Sequence, residues 1–236
     1  MLDEEKVEIS FDLIGDLNLD PEESFNWENK ATSLYLLIAG NISDDLRTIQ
    51  QTLQHLSQFY QGILYVPGLA EYSASVDHED RTREIYAAIK RIPNVTFLYH
   101  HVIVIDGVAV LGTNGWSLDN LSHLDGEVIK SRFEDIVYLS KSIQRLQTHG
   151  DIKKIMLLTS CIPGRHLYFG EEPSYIEDEF IFPDYCLKAD TELKVTHWAF
   201  GGTRIVTNTM QDGITYINNP YTRNSPYWPA RIAIEV

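Results

Sequence analysis

The chain has 236 residues, 44% of them hydrophobic, enough to bury a sizeable core in one domain spanning 1–236. Its formal charge of −15, from 34 acidic against 19 basic residues, would repel a phosphate backbone and argues against a nucleic-acid partner. No apolar run approaches the roughly 20 residues that cross a bilayer, and the start, Met1-Leu2-Asp3-Glu4-Glu5-Lys6, lacks a signal peptide's basic and apolar regions, so a cytoplasmic protein without a membrane partner is expected.

Short β-branched or aliphatic runs predict strands over 7–14, 34–39, 63–66, 95–98, 102–105 and 108–112. Between them, 44–60 places Leu46, Ile49, Leu53, Leu56 and Tyr60 on one helical face, with Ser43 as the predicted N-cap and Asp44 and Asp45 favouring the positive helix end. A second helix is predicted over 81–91, before Pro93, and a third over 132–148, before Gly150. Further strands are predicted over 154–159, 193–200, 204–206, 214–217 and 230–236, the last ones separated by Gly-Gly or Asp-Gly turns. Strands that alternate with helices and then run on as strands imply an α/β sandwich. The acidic, Pro- and Tyr-containing stretch 170–190 reads as a long exposed loop. Cys161 and Cys186 can form at most one bridge, have no zinc-like spacing, and read as reduced thiols.

Five segments that follow strands carry the chemistry: Gly15-Asp16-Leu17-Asn18, Gly40-Asn41-Ile42-Ser43-Asp44, Pro67-Gly68-Leu69-Ala70-Glu71, Thr159-Ser160-Cys161-Ile162-Pro163, and His197-Trp198-Ala199-Phe200-Gly201-Gly202-Thr203-Arg204. With Ile105-Asp106-Gly107-Val108-Ala109-Val110-Leu111-Gly112, Trp116 and Asn219-Pro220 around them, their joint order resembles the calcineurin-like metallophosphoesterase family over nearly the whole chain. The resemblance implies a four-layer αββα sandwich of two mixed β-sheets flanked by helices. It also implies a dinuclear metal centre, such as Mn or Fe/Zn, that activates a hydroxide for attack on phosphorus.

The ligands the resemblance asks for are mostly replaced. Asp16 is kept, but Asn18 stands for a histidine, Asn41 for the bridging carboxylate, Leu69 and Ala70 for an Asn-His pair, Ser160 for a histidine with Cys161 beside it, and Gly202 and Arg204 for two more histidines. Hard divalent ions need several oxygen donors, and borderline ones want imidazole or thiolate. Asp16, Asn18, Asn41 and Ser160 offer one negative charge together, so neither metal site is expected to fill. Arg204 replaces a ligand of the metal that Asp16 would bind, which predicts an Arg204–Asp16 ion pair in place of the metal.

Other residues admit plainer readings. Cys161 as a nucleophile would need an oriented base, for which nearby His166 is the only neighbour in sequence. His100, His101 and His197 read as packing or surface residues. Arg204 with the amides of Gly201 and Gly202 could hold an anion, and the aromatic stretch 221–228 could dock a partner or pack on its own sheet. The leading expectation is a catalytically inactive, protein-binding or scaffold module. The alternatives are a residual metal-dependent phosphoesterase or a sensor of an anionic small molecule.

Overall fold

The computed structural model describes residues 8–21, 23, 25–73, 75, 77–116, 126–164, 167, 193–223 and 226–236. The predicted acidic loop, Cys186 and His166 lie outside these residues. Eleven strands form two sheets among the described residues. In the first, β1 (Glu8–Ile14), β2 (Tyr35–Ala39), β3 (Gly62–Val66) and β4 (Val95–Phe97) run parallel, and β11 (Ala230–Glu235) closes the outer edge antiparallel to β1. The second has the order β5 (His101–Ile105), β6 (Val108–Thr113), β7 (Lys154–Thr159), β8 (Val195–Phe200), β10 (Ile214–Asn218) and β9 (Thr207–Gln211). Its inner four strands are parallel, and β5 and β9 are antiparallel edges.

Side-chain alternation decides how these sheets stack. Phe11 and Leu13 of β1, Leu37 of β2 and Leu64 of β3 face Val110 of β6, Met156 and Leu158 of β7 and Ala199 of β8, which makes the core between the sheets. The opposite faces take helices. Ile14, Leu36, Ile38, Ile63 and Tyr65 pack against Ile49, Leu53 and Leu56 of α1 (Leu46–Leu56) and Ile85 and Ile89 of α3 (His78–Ile89). Ala109, Leu111, Ile155, Leu157 and Trp198 pack against Leu139, Ile143 and Leu146 of α4 (Gly126–Gln147). The result is the expected four-layer αββα sandwich of two mixed sheets. No helix among the described residues is long and apolar enough to cross a membrane.

Several predicted boundaries are corrected. The first helix begins at Leu46 and is capped by Asp45, whose carboxylate accepts from the Thr48 N–H at 2.7 Å; Ser43 instead donates to the Leu19 carbonyl at 2.8 Å. The second starts three residues early, at His78, because Asp77 accepts from the Asp80 N–H at 2.9 Å. The third extends back to Gly126. The predicted strand at 204–206 is a bent, irregular segment, and β9 lies just beyond it, although Thr207-Asn208-Thr209-Met210-Gln211 has no apolar alternation. A fourth helix, the single turn α2 (Leu69–Tyr72), was not predicted.

Candidate functional site

The parallel strands β1, β2, β3, β7 and β8 all end on one rim of the double sheet, so the loops after them converge even though they are far apart in sequence. This is the rim where α/β sheets present ligand-binding crevices. A cleft of about 860 Å³ opens there, lined by Asp16, Leu17, Asn18, Asn41, Leu69, Ala70, Ser73, Gly202, Thr203, Arg204, Pro220, Tyr221, Thr222 and Arg223. It gathers seven of the nine residues singled out by sequence; Ser160 and Cys161 are not among its lining.

Asn41 is the link between the loops. Its side-chain N–H donates to Asp16 Oδ1 at 2.7 Å, and its side-chain oxygen accepts from the Ala70 N–H at 3.0 Å. The Gly202 N–H lies 3.0 Å from both Asp16 oxygens. Asp16, Asn18 and Asn41 all have left-handed backbones, at φ 54°, 42° and 58°, a conformation that Asn and Asp tolerate better than other residues with a Cβ. The loops are therefore cross-linked by an amide and a carboxylate whose side chains also suit the turns that hold them.

Beneath this layer sits Glu71, fully buried, a residue of the Pro67–Glu71 segment that residue type alone does not mark as part of the site. Its carboxylate accepts from the N–H groups of Asn41 at 3.0 Å, Ile42 at 2.7 Å and Gly68 at 2.8 Å, and from the Tyr65 hydroxyl at 2.9 Å. It thus ties the loop after β2 to the loop after β3. Burial pushes its carboxyl above the usual range while these donors pull it back. The turns also touch directly: a Cβ at Gly68 would sit 2.3 Å from Asn41 Oδ1, and one at Gly201 would sit 2.2 Å from the Ala39 carbonyl. Only glycine allows these approaches.

The predicted Arg204–Asp16 ion pair is not formed. Arg204 is exposed and, among the described residues, forms no hydrogen bond or ion pair, whereas Asp16 is satisfied by Asn41 and Gly202. The reason is local. The turn that carries Gly202, at φ 79°, aims its N–H at the carboxylate and leaves the side chain two residues on at the rim. The cation engaged on this rim is Arg223, which bonds the Asn18 carbonyl at 2.5 Å and pairs with Asp20 at 2.9 Å and Glu23 at 3.0 Å. No sequence signal marked it beyond its place in the aromatic stretch.

Leu69 is 38% exposed and, with Ala70, makes an apolar wall from α2. Ser160 is fully buried and donates its hydroxyl to the Asn114 carbonyl at 2.9 Å. Cys161 is buried among the apolar side chains under α4 and does not reach the cleft. His100 binds the fully buried Asp135 at 2.6 Å, a carboxylate that also accepts from Gly115 N–H at 2.7 Å and the Thr113 hydroxyl, so it joins α4 to the sheet. Burial and Lys154 hold His197 down at about 4, a neutral residue on β8. In the aromatic stretch Tyr227 is buried and donates to the Asn219 carbonyl at 2.7 Å, Tyr221 packs edge-on against it, and Trp228 is exposed. Among the described residues no three His, Cys, Asp or Glu side chains are grouped to hold a metal ion.

No family model and no curated protein matches the chain. Solved structures do match. The crystal structure of phosphopantetheinyl hydrolase from Mycobacterium tuberculosis aligns with a TM-score of 0.60 at 15% identity, covering 95% of this chain and 96% of that one. A candidate 5'-nucleotidase from Staphylococcus aureus, solved in complex with alpha-ketoglutarate, aligns with a TM-score of 0.57 at 9% identity, covering 96% of this chain and 51% of that one. At such identities the likeness is one of architecture, and the architecture is a metallophosphoesterase-like fold: two mixed sheets, face to face, between layers of helices.

Proposed function

We propose that this chain is a metallophosphoesterase-like pseudoenzyme, a cytoplasmic module that uses the fold to bind a protein partner rather than to hydrolyse a phosphoester. The observation that carries this reading is the bonding of Asp16. Among the described residues it is the one carboxylate lining the cleft, and its oxygens face N–H donors from Asn41 and Gly202 rather than further anionic donors. A dinuclear Mn or Fe/Zn centre needs carboxylate oxygens and imidazoles at these positions, so the residues present do not fit it. The test is metal analysis of protein purified without chelator, together with hydrolysis of bis(4-nitrophenyl) phosphate with added Mn²⁺. Metal well below stoichiometric and no Mn²⁺-dependent turnover are expected. Stoichiometric transition metal, or turnover abolished by Asp16→Ala, overturns the reading.

One observation favours a second reading, in which the cleft takes an anionic small molecule. Arg204 stands on the cleft with no partner among the described residues, an open position for a phosphate or carboxylate. Stabilisation by millimolar inorganic phosphate in a thermal-shift series, lost in Arg204→Ala, is its expected signature. Equal shifts in both proteins refute it.

A further inference from the structure

The Asn41 side chain uses both ends of its carboxamide, and each end reaches a different loop. The N–H end holds Asp16 Oδ1 at 2.7 Å, and the oxygen end takes the Ala70 N–H at 3.0 Å. Its own backbone is equally committed: the N–H goes to Glu71 at 3.0 Å, and the carbonyl accepts from the Asn18 N–H at 2.8 Å. Asp16 in turn reaches the Gly202 N–H, so one short chain of hydrogen bonds spans the loops after β1, β2, β3 and β8. No slack exists around the amide, because Gly68 leaves no room for even a methyl group beside its oxygen.

The electrostatics depend on that group being an amide. A carboxylate at position 41 would set an oxygen 2.7 Å from Asp16 Oδ1, with the buried Glu71 carboxylate close behind. Two anionic oxygens at that distance need a shared proton or a bridging cation. The carboxamide keeps the shape, supplies a hydrogen where a positive charge would otherwise be required, and stays neutral.

We infer that the Asn41 carboxamide is an internal stand-in for a bridging cation, a latch that assembles the cleft without metal. The inference rests on reading the cleft as non-catalytic. A plainer account holds that Asn41 is present only because its backbone is left-handed at φ 58°. The two differ in what the side chain contributes, and three substitutions separate them. Asn41→Gly keeps the backbone freedom and removes the latch. Asn41→Asp keeps shape and backbone preference and inverts the electrostatics. Asn41→Asp with Asp16→Asn swaps donor and acceptor between the same two positions.

Thermal unfolding of each protein, in chelator and in millimolar Mn²⁺, is the experiment. The wild type is expected to melt at the same temperature in both. Asn41→Asp is expected to melt on the order of 5–10 °C lower in chelator and to recover saturably with Mn²⁺. Asn41→Gly should melt lower with no response to Mn²⁺, and the swapped double variant should recover at least half the loss without metal. Asn41→Gly as stable as wild type, or Asn41→Asp as stable as wild type in chelator, overturns the latch. Should Asn41→Asp fail to fold, the double variant decides: loss equal to or greater than that of Asn41→Gly refutes the inference. The functional reading fails separately, through Mn²⁺-dependent hydrolysis by the wild type.

Discussion

Burial pushes the Asp16 carboxyl up to about 6, against the hydrogen bonds from Asn41, Gly202 and Thr203 that favour its charged form and with some help from Glu71. A folded-state value above the unfolded 3.8 means that the native protein holds this proton more tightly than the unfolded chain does. The associated stability is fully present below about pH 4 and is lost as pH rises through about 6. Asp16→Asn, which suits the same left-handed backbone, should therefore flatten the fall in melting temperature between pH 4 and 6. Difference melts of the two proteins across that range check it, and parallel curves would show that other groups set the slope. Asp16 and Asn41 were legible in sequence because each follows a strand in a recognisable turn. Arg204 was legible as a cation but not in its direction, since sequence order does not show which way a turn of Gly201 and Gly202 releases the side chain after it. Glu71 went unweighed because its partners are mostly backbone N–H groups, and these leave no residue-type pattern to read.

Among elements, α1 shows an apolar stripe that outruns its helix. The apolar stripe runs from Leu46 to Tyr60, yet the helix occupies only Leu46–Leu56, started by Asp45 bonding both the N–H and the hydroxyl of Thr48. Asp45→Ala should cost about 1 kcal/mol, seen as a lower urea midpoint with an unchanged slope. Ser43→Ala tests a different bond, the one to the Leu19 carbonyl, and so separates the sequence-predicted cap from the observed one. Strands with apolar alternation were legible to within a residue or two. The exception, β9, has no apolar alternation and forms where the two-residue Asp212-Gly213 turn, at φ 50° and 79°, folds it onto β10. The Asp-Gly pair was the available signal for that strand, and it outweighs the side chains within it.

Across the whole molecule, the sandwich was readable from the succession of elements, whereas the cleft was readable only as a set of separate turns. What no local pattern contains is which turns touch. Glu71 spanning the loops after β2 and β3, and Asp135 joining α4 to His100 and Gly115, are meetings fixed by sheet order. The likeness in architecture to the two solved structures covers 95% and 96% of this chain, so Asn41, Leu69, Ala70 and Ser160 lie on loops within that shared frame.

The far ends of the described chain meet beside the cleft. β11 pairs with β1, Gly15 bridges Pro220, the Gly15 N–H donates to the Asn219 carbonyl at 3.2 Å, and Tyr221 N–H returns to the Gly15 carbonyl at 2.8 Å. The turn that bears Asp16 therefore acquires this neighbour only after the segment through Tyr221 has been made. During synthesis, the outer edge of β1 stays unpaired until β11 has emerged from the ribosome. Contacts between segments so far apart in sequence carry a high loop-closure cost, so this side of the cleft is expected to complete late in folding.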